Sequence, residues 1–103
     1  MFVVLLRYTK PLAEVDRLMD RHVAFLEPHL RAGTFAAAGR QLPRTGGVIL
    51  ARGLTRDALE ALLQTDPFVQ EGAATFEIVE FRTSLHHREF ARWADPKTRT
   101  VGG

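Results

Sequence analysis

Cysteine is missing from the 103 residues, and with it go disulfides, thiolate metal sites and thiol nucleophiles. Long hydrophobic runs are missing too. No stretch reaches the roughly 18 uninterrupted apolar residues of a membrane span, and the apolar opening of residues 1–6 meets Arg7 too soon to form a signal-peptide core. A cytoplasmic protein without membrane contacts is therefore expected. The chain also lacks the Gly-rich loops that cradle phosphates or dinucleotides, the Gly-x-Ser-x-Gly elbow and the His-Glu-x-x-His helix, so no standard cofactor is expected. There is little charge of one sign: 14 Lys and Arg face 12 Asp and Glu, a net +2. The arginines are interleaved with carboxylates along the whole chain rather than gathered into a stripe, which argues against nucleic acid as a partner.

What remains is an ordinary globular composition, 46% hydrophobic and 25% charged, in a chain long enough for one modest core. The continuous apolar run Phe2, Val3, Val4, Leu5, Leu6 reads as a central strand. Thr9 and Pro11 suit a helix start. Leu12, Val15, Leu18, Met19, His22, Val23, Leu26 and Leu30 then recur at spacings of three and four, predicting a helix over 12–32 with a kink or short break at Pro28 and a stop at Gly33. Residues 34–41 and 46–53 read as a β-hairpin with a longer loop. Thr55 caps a second amphipathic helix running to about Gln64. Asp66-Pro67-Phe68 opens a further turn ended by Gly72, and residues 75–82 alternate as a last strand.

The order β-α-β-β-α-β predicts an α+β, ferredoxin-like fold with two helices on one face of a four-stranded antiparallel sheet. Its other sheet face carries apolar side chains and favours a sheet-to-sheet homodimer of the dimeric α/β barrel type. The domain is expected over residues 1–83. Residues 84–103 form a C-terminal extension, expected as a short helix over the partner, with Phe90 and Trp93 packed against the domain or its dimer mate.

For chemistry, adjacent His86 and His87 point in different directions on either a helix or a strand, which is poor geometry for a shared metal, and no metal site is expected. His22 differs, because it lies on the apolar stripe of the first helix, where an imidazole directed at the sheet can act as acid, base or hydrogen-bond donor; the plain alternative is a satisfied core histidine. Asp66, before Pro67, suits a helix cap, and in this fold the end of the second helix lies at the same layer as His22. A carboxylate reaching the ring would orient it and favour its charged form.

At these residues the sequence resembles the YCII-related (YciI-like) family: the strand from Phe2 to Tyr8, His22 within Arg21-His22-Val23-Ala24-Phe25-Leu26, Gly33 and Gly39 around the second strand, and Asp66-Pro67-Phe68 followed by Gly72. The resemblance covers about residues 1–83. It implies the ferredoxin-like fold, a dimer through the open sheet faces, and a His/Asp pair proposed as catalytic, matched here by His22 and Asp66. After Gly39 many relatives have proline where this chain has Arg40. Arg7, Arg40 and Arg44 are candidates to supply positive charge to an anionic substrate, with Phe68 beside them in the pocket. The expected function is a small cofactor-independent enzyme using the His22/Asp66 pair on a small phenolic or acidic molecule. The competing reading is a non-enzymatic small-molecule-binding or interaction dimer.

Overall fold

The computed structural model describes residues 1–102. Its first strand, β1 (Phe2–Tyr8), sits centrally because both of its edges are taken: β3 (Gly46–Ala51) pairs antiparallel on one side and β4 (Ala74–Glu80) on the other. β2 (Phe35–Arg40) adds to the outer edge of β3, giving the order β2-β3-β1-β4. Strand alternation divides β1 cleanly. Phe2, Val4 and Leu6 are buried under the helices, while Val3 and Leu5 on the opposite face are only partly covered. The register extends each row across the sheet: Val4 faces Ile49 and Ile78, and Val3 faces Leu50 and Val79. Gly46 occurs where β3 passes closest to β1, since a Cβ there would lie 1.7 Å from the Leu6 carbonyl oxygen.

Helix α1 (Leu12–Ala32) buries Val15, Leu18, His22 and Leu26, the centre of the predicted stripe, and leaves Leu12, Val23 and Leu30 at its exposed margins. It runs unbroken through Pro28 and ends at Gly33, whose φ of 79° is the left-handed conformation that glycine adopts without strain. Its start differs from expectation. Pro11 is the N-cap and, having no side-chain acceptor, makes no capping hydrogen bond, while the Thr9 hydroxyl is engaged elsewhere, donating to the Gly72 carbonyl at 2.8 Å. Helix α2 (Arg56–Leu63) is capped as expected by Thr55, which accepts from the Ala58 N–H. Its Leu59 and Leu63 complete the larger part of the core with Phe2, Val4, Leu6, Phe35 and Ile49. A four-residue helix, α3 (Pro67–Gln70), follows, and Val15, Leu18, Phe68, Ala73 and Ala74 form a second apolar cluster between it and α1. This is the predicted α+β, ferredoxin-like arrangement, four antiparallel strands with two main helices.

Past Thr83 the expectation of a helix is overturned. Leu85–His87 (β5) and Arg99–Val101 (β6) pair as a short parallel ladder around a 3-10 turn at Arg88–Phe90. A local reading missed this because the ladder joins segments a dozen residues apart. His86 contributes to the link, with the Thr98 hydroxyl at Nδ1 and the Thr100 hydroxyl 3.0 Å from Nε2. Trp93 packs on the domain: its ring lies 3.6 Å from where a Cβ on Gly33 would be, with the Arg52 and Arg92 guanidinium carbons 5.8 and 5.0 Å from its centre.

Candidate active site

Asp66 caps α3. Pro67 biases it to an extended backbone, and with φ −66° and ψ 126° its Oδ1 accepts from the Phe68 N–H at 3.0 Å. The same turn is tied to the end of β1 by Thr9 and by Lys10, whose ammonium donates to the Glu71 carbonyl at 2.8 Å. These ties bring the carboxylate under α1, where it meets His22. Nδ1 of His22 lies 2.9 Å from Oδ1 and 3.0 Å from Oδ2 of Asp66. Asp66 is fully buried and His22 is 8% exposed.

The ring is fixed on its face as well as at its edge. Phe68 stacks on it almost in parallel, with centroids 4.0 Å apart and planes at 9°. Tyr8 meets Phe68 edge-on at 5.9 Å. Because a carboxylate only accepts, Asp66 calls for the hydrogen on Nδ1, and in the neutral ring that leaves the lone pair on Nε2. Nε2 has no hydrogen-bond partner among the described residues, and it is not among the buried polar atoms lacking one. It is therefore open to a visiting molecule. His22 lines a cleft of about 210 Å³ whose other walls include Leu6, Tyr8, Leu26, Arg40, Ile49 and Phe68. That volume is below the few hundred Å³ of drug-sized sites, and suits a molecule of one ring.

The structure thus brings His22, Asp66, Phe68 and Arg40 to one place. Arg7 is not with them. It alternates with Val3 and Leu5 on the open sheet face and lines a neighbouring cleft together with Lys10 and Arg44. Arg40 opposes Gly47, as Ala38 opposes Ile49, which puts its side chain on the helix side of the sheet, where it is exposed. Arg44 pairs with Asp16 on α1 and places its guanidinium carbon 6.0 Å from the centre of the Tyr8 ring. The hydrogen bond from Arg44 holds the Asp16 carboxyl below its ordinary range against a weaker desolvation effect, and the same bond holds Arg44 more firmly charged. Sequence reading passed over Tyr8 as a site residue; its two-residue spacing from Leu6 already placed it on the cleft side. No group of three or more His, Asp or Glu side chains able to hold a metal occurs among the described residues, and none of their helices is long and apolar enough to cross a membrane.

The chain is thus an α+β protein of ferredoxin-like arrangement with His22 and Asp66 paired beneath its first helix. Residues 1–82 match the YCII-related domain, and the chain belongs to that family. A solved structure of similar fold is the 5-chloro-2-hydroxyhydroquinone dehydrochlorinase from Burkholderia phenoliruptrix, in complex with 2,5-dihydroxybenzoquinone. It is 20% identical with a TM-score of 0.66, and the match covers 81% of this chain and 95% of the dehydrochlorinase. No curated protein sequence matches the chain.

Proposed function

We propose that the protein is a small cofactor-independent acid–base enzyme in which His22 is the base and Asp66 its orienting carboxylate, acting on a single-ring phenolic or acidic molecule. The observation that carries this reading is the division of labour on the imidazole: Nδ1 is held by a buried carboxylate at 2.9 Å while Nε2 is unpartnered at a cleft. A core histidine serving packing alone gains nothing from an open nitrogen. In the proposed step an O–H proton, or a C–H proton beside a carbonyl, passes to Nε2. The electron pair left behind remains as a phenolate or enolate, or expels a leaving group from the adjacent carbon, and Asp66 stabilises the imidazolium that forms. Phe68 and the aliphatic walls exclude water around the ring. The dehydrochlorinase of similar fold supports this choice of substrate class, as its name describes loss of chloride from a hydroxylated ring.

The same reading includes a homodimer. Val79, 43% exposed, adjoins the partly covered Val3, Leu5, Val48 and Leu50 on the open sheet face, an apolar surface of the kind a second copy covers. The test of the enzyme reading is turnover of a panel of chlorinated and unchlorinated hydroquinones and hydroxyquinols by the parent and by His22→Ala. General base assistance contributes about 10²- to 10⁴-fold, so the variant should lose rate on that scale and keep its fold. Equal turnover by both would reduce His22 to a packing residue. Saturable binding of these compounds by the parent with no turnover would favour the non-enzymatic binding dimer.

A further inference from the structure

The cleft beside His22 is mostly apolar, and its polar side chains are few: His22, Arg40 and Tyr8. A base that removes a proton leaves negative charge on the substrate, and something in the cleft must meet that charge. His22 cannot do so while it is still the base. Arg40 is exposed at the end of β2, where water screens it. Tyr8 is half-buried and held in place at three points. Its backbone N–H donates to the Thr45 carbonyl at 2.9 Å, its ring meets Phe68 edge-on at 84°, and the Arg44 guanidinium carbon lies 6.0 Å from its ring centre. Arg44 is itself anchored by Asp16. Tyr8, with Leu6, lines both the His22 cleft and the basic cleft containing Arg44 and Lys10, and so stands between them.

We propose that Tyr8 is the oxyanion donor of this cleft, its hydroxyl holding the substrate oxygen on which negative charge collects and Arg44 supporting it from behind. The inference deepens the acid–base reading and rests on it for the identity of the cleft. Its chemistry follows from the donor inventory. A guanidinium has only donors to offer, so it can meet the phenol at its oxygen or over its ring face, and in neither case does it take up the hydroxyl hydrogen. That leaves the Tyr8 hydrogen for another acceptor and makes it a stronger donor. As the substrate proton moves to Nε2, the electron pair it leaves shifts onto the substrate oxygen. Tyr8 donates a hydrogen bond to that oxygen and keeps its own proton; nothing is oxidised or reduced. The ligand class is a single-ring organic molecule that binds best as its oxyanion.

The test uses 4-nitrophenol, whose phenolate and neutral forms differ in colour, so its absorbance in the presence of the protein reports which form is bound. The parent should bind the phenolate about tenfold or more tightly than the phenol, in line with a hydrogen bond to a charged group. Tyr8→Phe, which keeps the ring against Phe68, should bring that preference close to one. Arg44→Met should lower it severalfold, and the loss in Tyr8→Phe should recur in a His22→Ala background, where the base cannot take up the probe's proton. No saturable binding by the parent, equal binding of the two forms, or a preference that survives in Tyr8→Phe would each overturn the proposal. Should Tyr8→Phe fail to fold, Arg44→Met decides: a reduced preference supports the proposal and an unchanged one overturns it. Because the readout is ionisation of a bound probe, loss of the His22 base reading in turnover assays leaves this result separately interpretable.

Discussion

Replacing Asp66 separates the two duties of its carboxylate, since alanine removes both and asparagine removes one. In Asp66→Ala the Phe68 N–H loses its cap and the His22 Nδ1–H loses its acceptor, both at a fully buried position. A lost N-cap costs about 1 kcal/mol and a buried donor left unpaired about 1–3 kcal/mol. The sum, about 2–4 kcal/mol, should lower the melting temperature of a domain this size by roughly 10–25 °C. In Asp66→Asn the amide oxygen can still face the Phe68 N–H, so the fold should lose only about 1 kcal/mol or less. Its NH2 group then turns to the ring and donates to Nδ1, which moves the imidazole hydrogen to Nε2 and removes the lone pair from the cleft. The assay pairs calorimetry with long-range 1H–15N correlation spectra of the neutral His22 ring. The parent should show the Nδ1–H tautomer, Asp66→Asn the Nε2–H tautomer with nearly parental stability. A parent ring carrying its hydrogen on Nε2 would refute the orienting role, and equal melting temperatures for parent and Asp66→Ala would refute the cap.

Two further outcomes are expected. The Asp95 carboxyl is held below its ordinary value of about 3.9, first by the Thr83 backbone N–H and also by the N-terminal ammonium at 3.2 Å. A depressed carboxyl contributes stability above its unfolded value and loses it as pH falls through the folded one. The tail should therefore loosen below about pH 4; the fluorescence of Trp93, the single tryptophan, should report this, and Asp95→Asn should abolish that step, whereas an unchanged transition would clear Asp95 of the role. On the open sheet face, Val79→Asp puts a charge among apolar neighbours and should yield a monomer by light scattering where the parent is a dimer; a monomeric parent would remove the homodimer from the proposed function.

How much of this was legible beforehand depends on whether the deciding contact is local. The Thr55 and Asp66 caps, the stop at Gly33 and the two-faced apolar run of β1 act within a few residues of themselves, so composition and spacing located them. Thr9 misled because its hydroxyl is committed to Gly72, 63 residues away, and the tail misled because Leu85 finds Arg99 only after the chain turns at Trp93. Parity along β1 already distinguished Arg7, in phase with Val3 and Leu5, from Tyr8, in phase with Val4 and Leu6. Placing Arg40 needed the register against Gly47, which sequence does not state. The pairing of His22 with Asp66 lies between these cases. The helix stripe and the proline turn are each local, yet their meeting depends on the length of chain between them and on the ties from Thr9 and Lys10 to the far side of α3. A polar residue on an apolar stripe is costly unless a partner arrives, and that cost is why His22 in the sequence pointed to a second group before any fold supplied it.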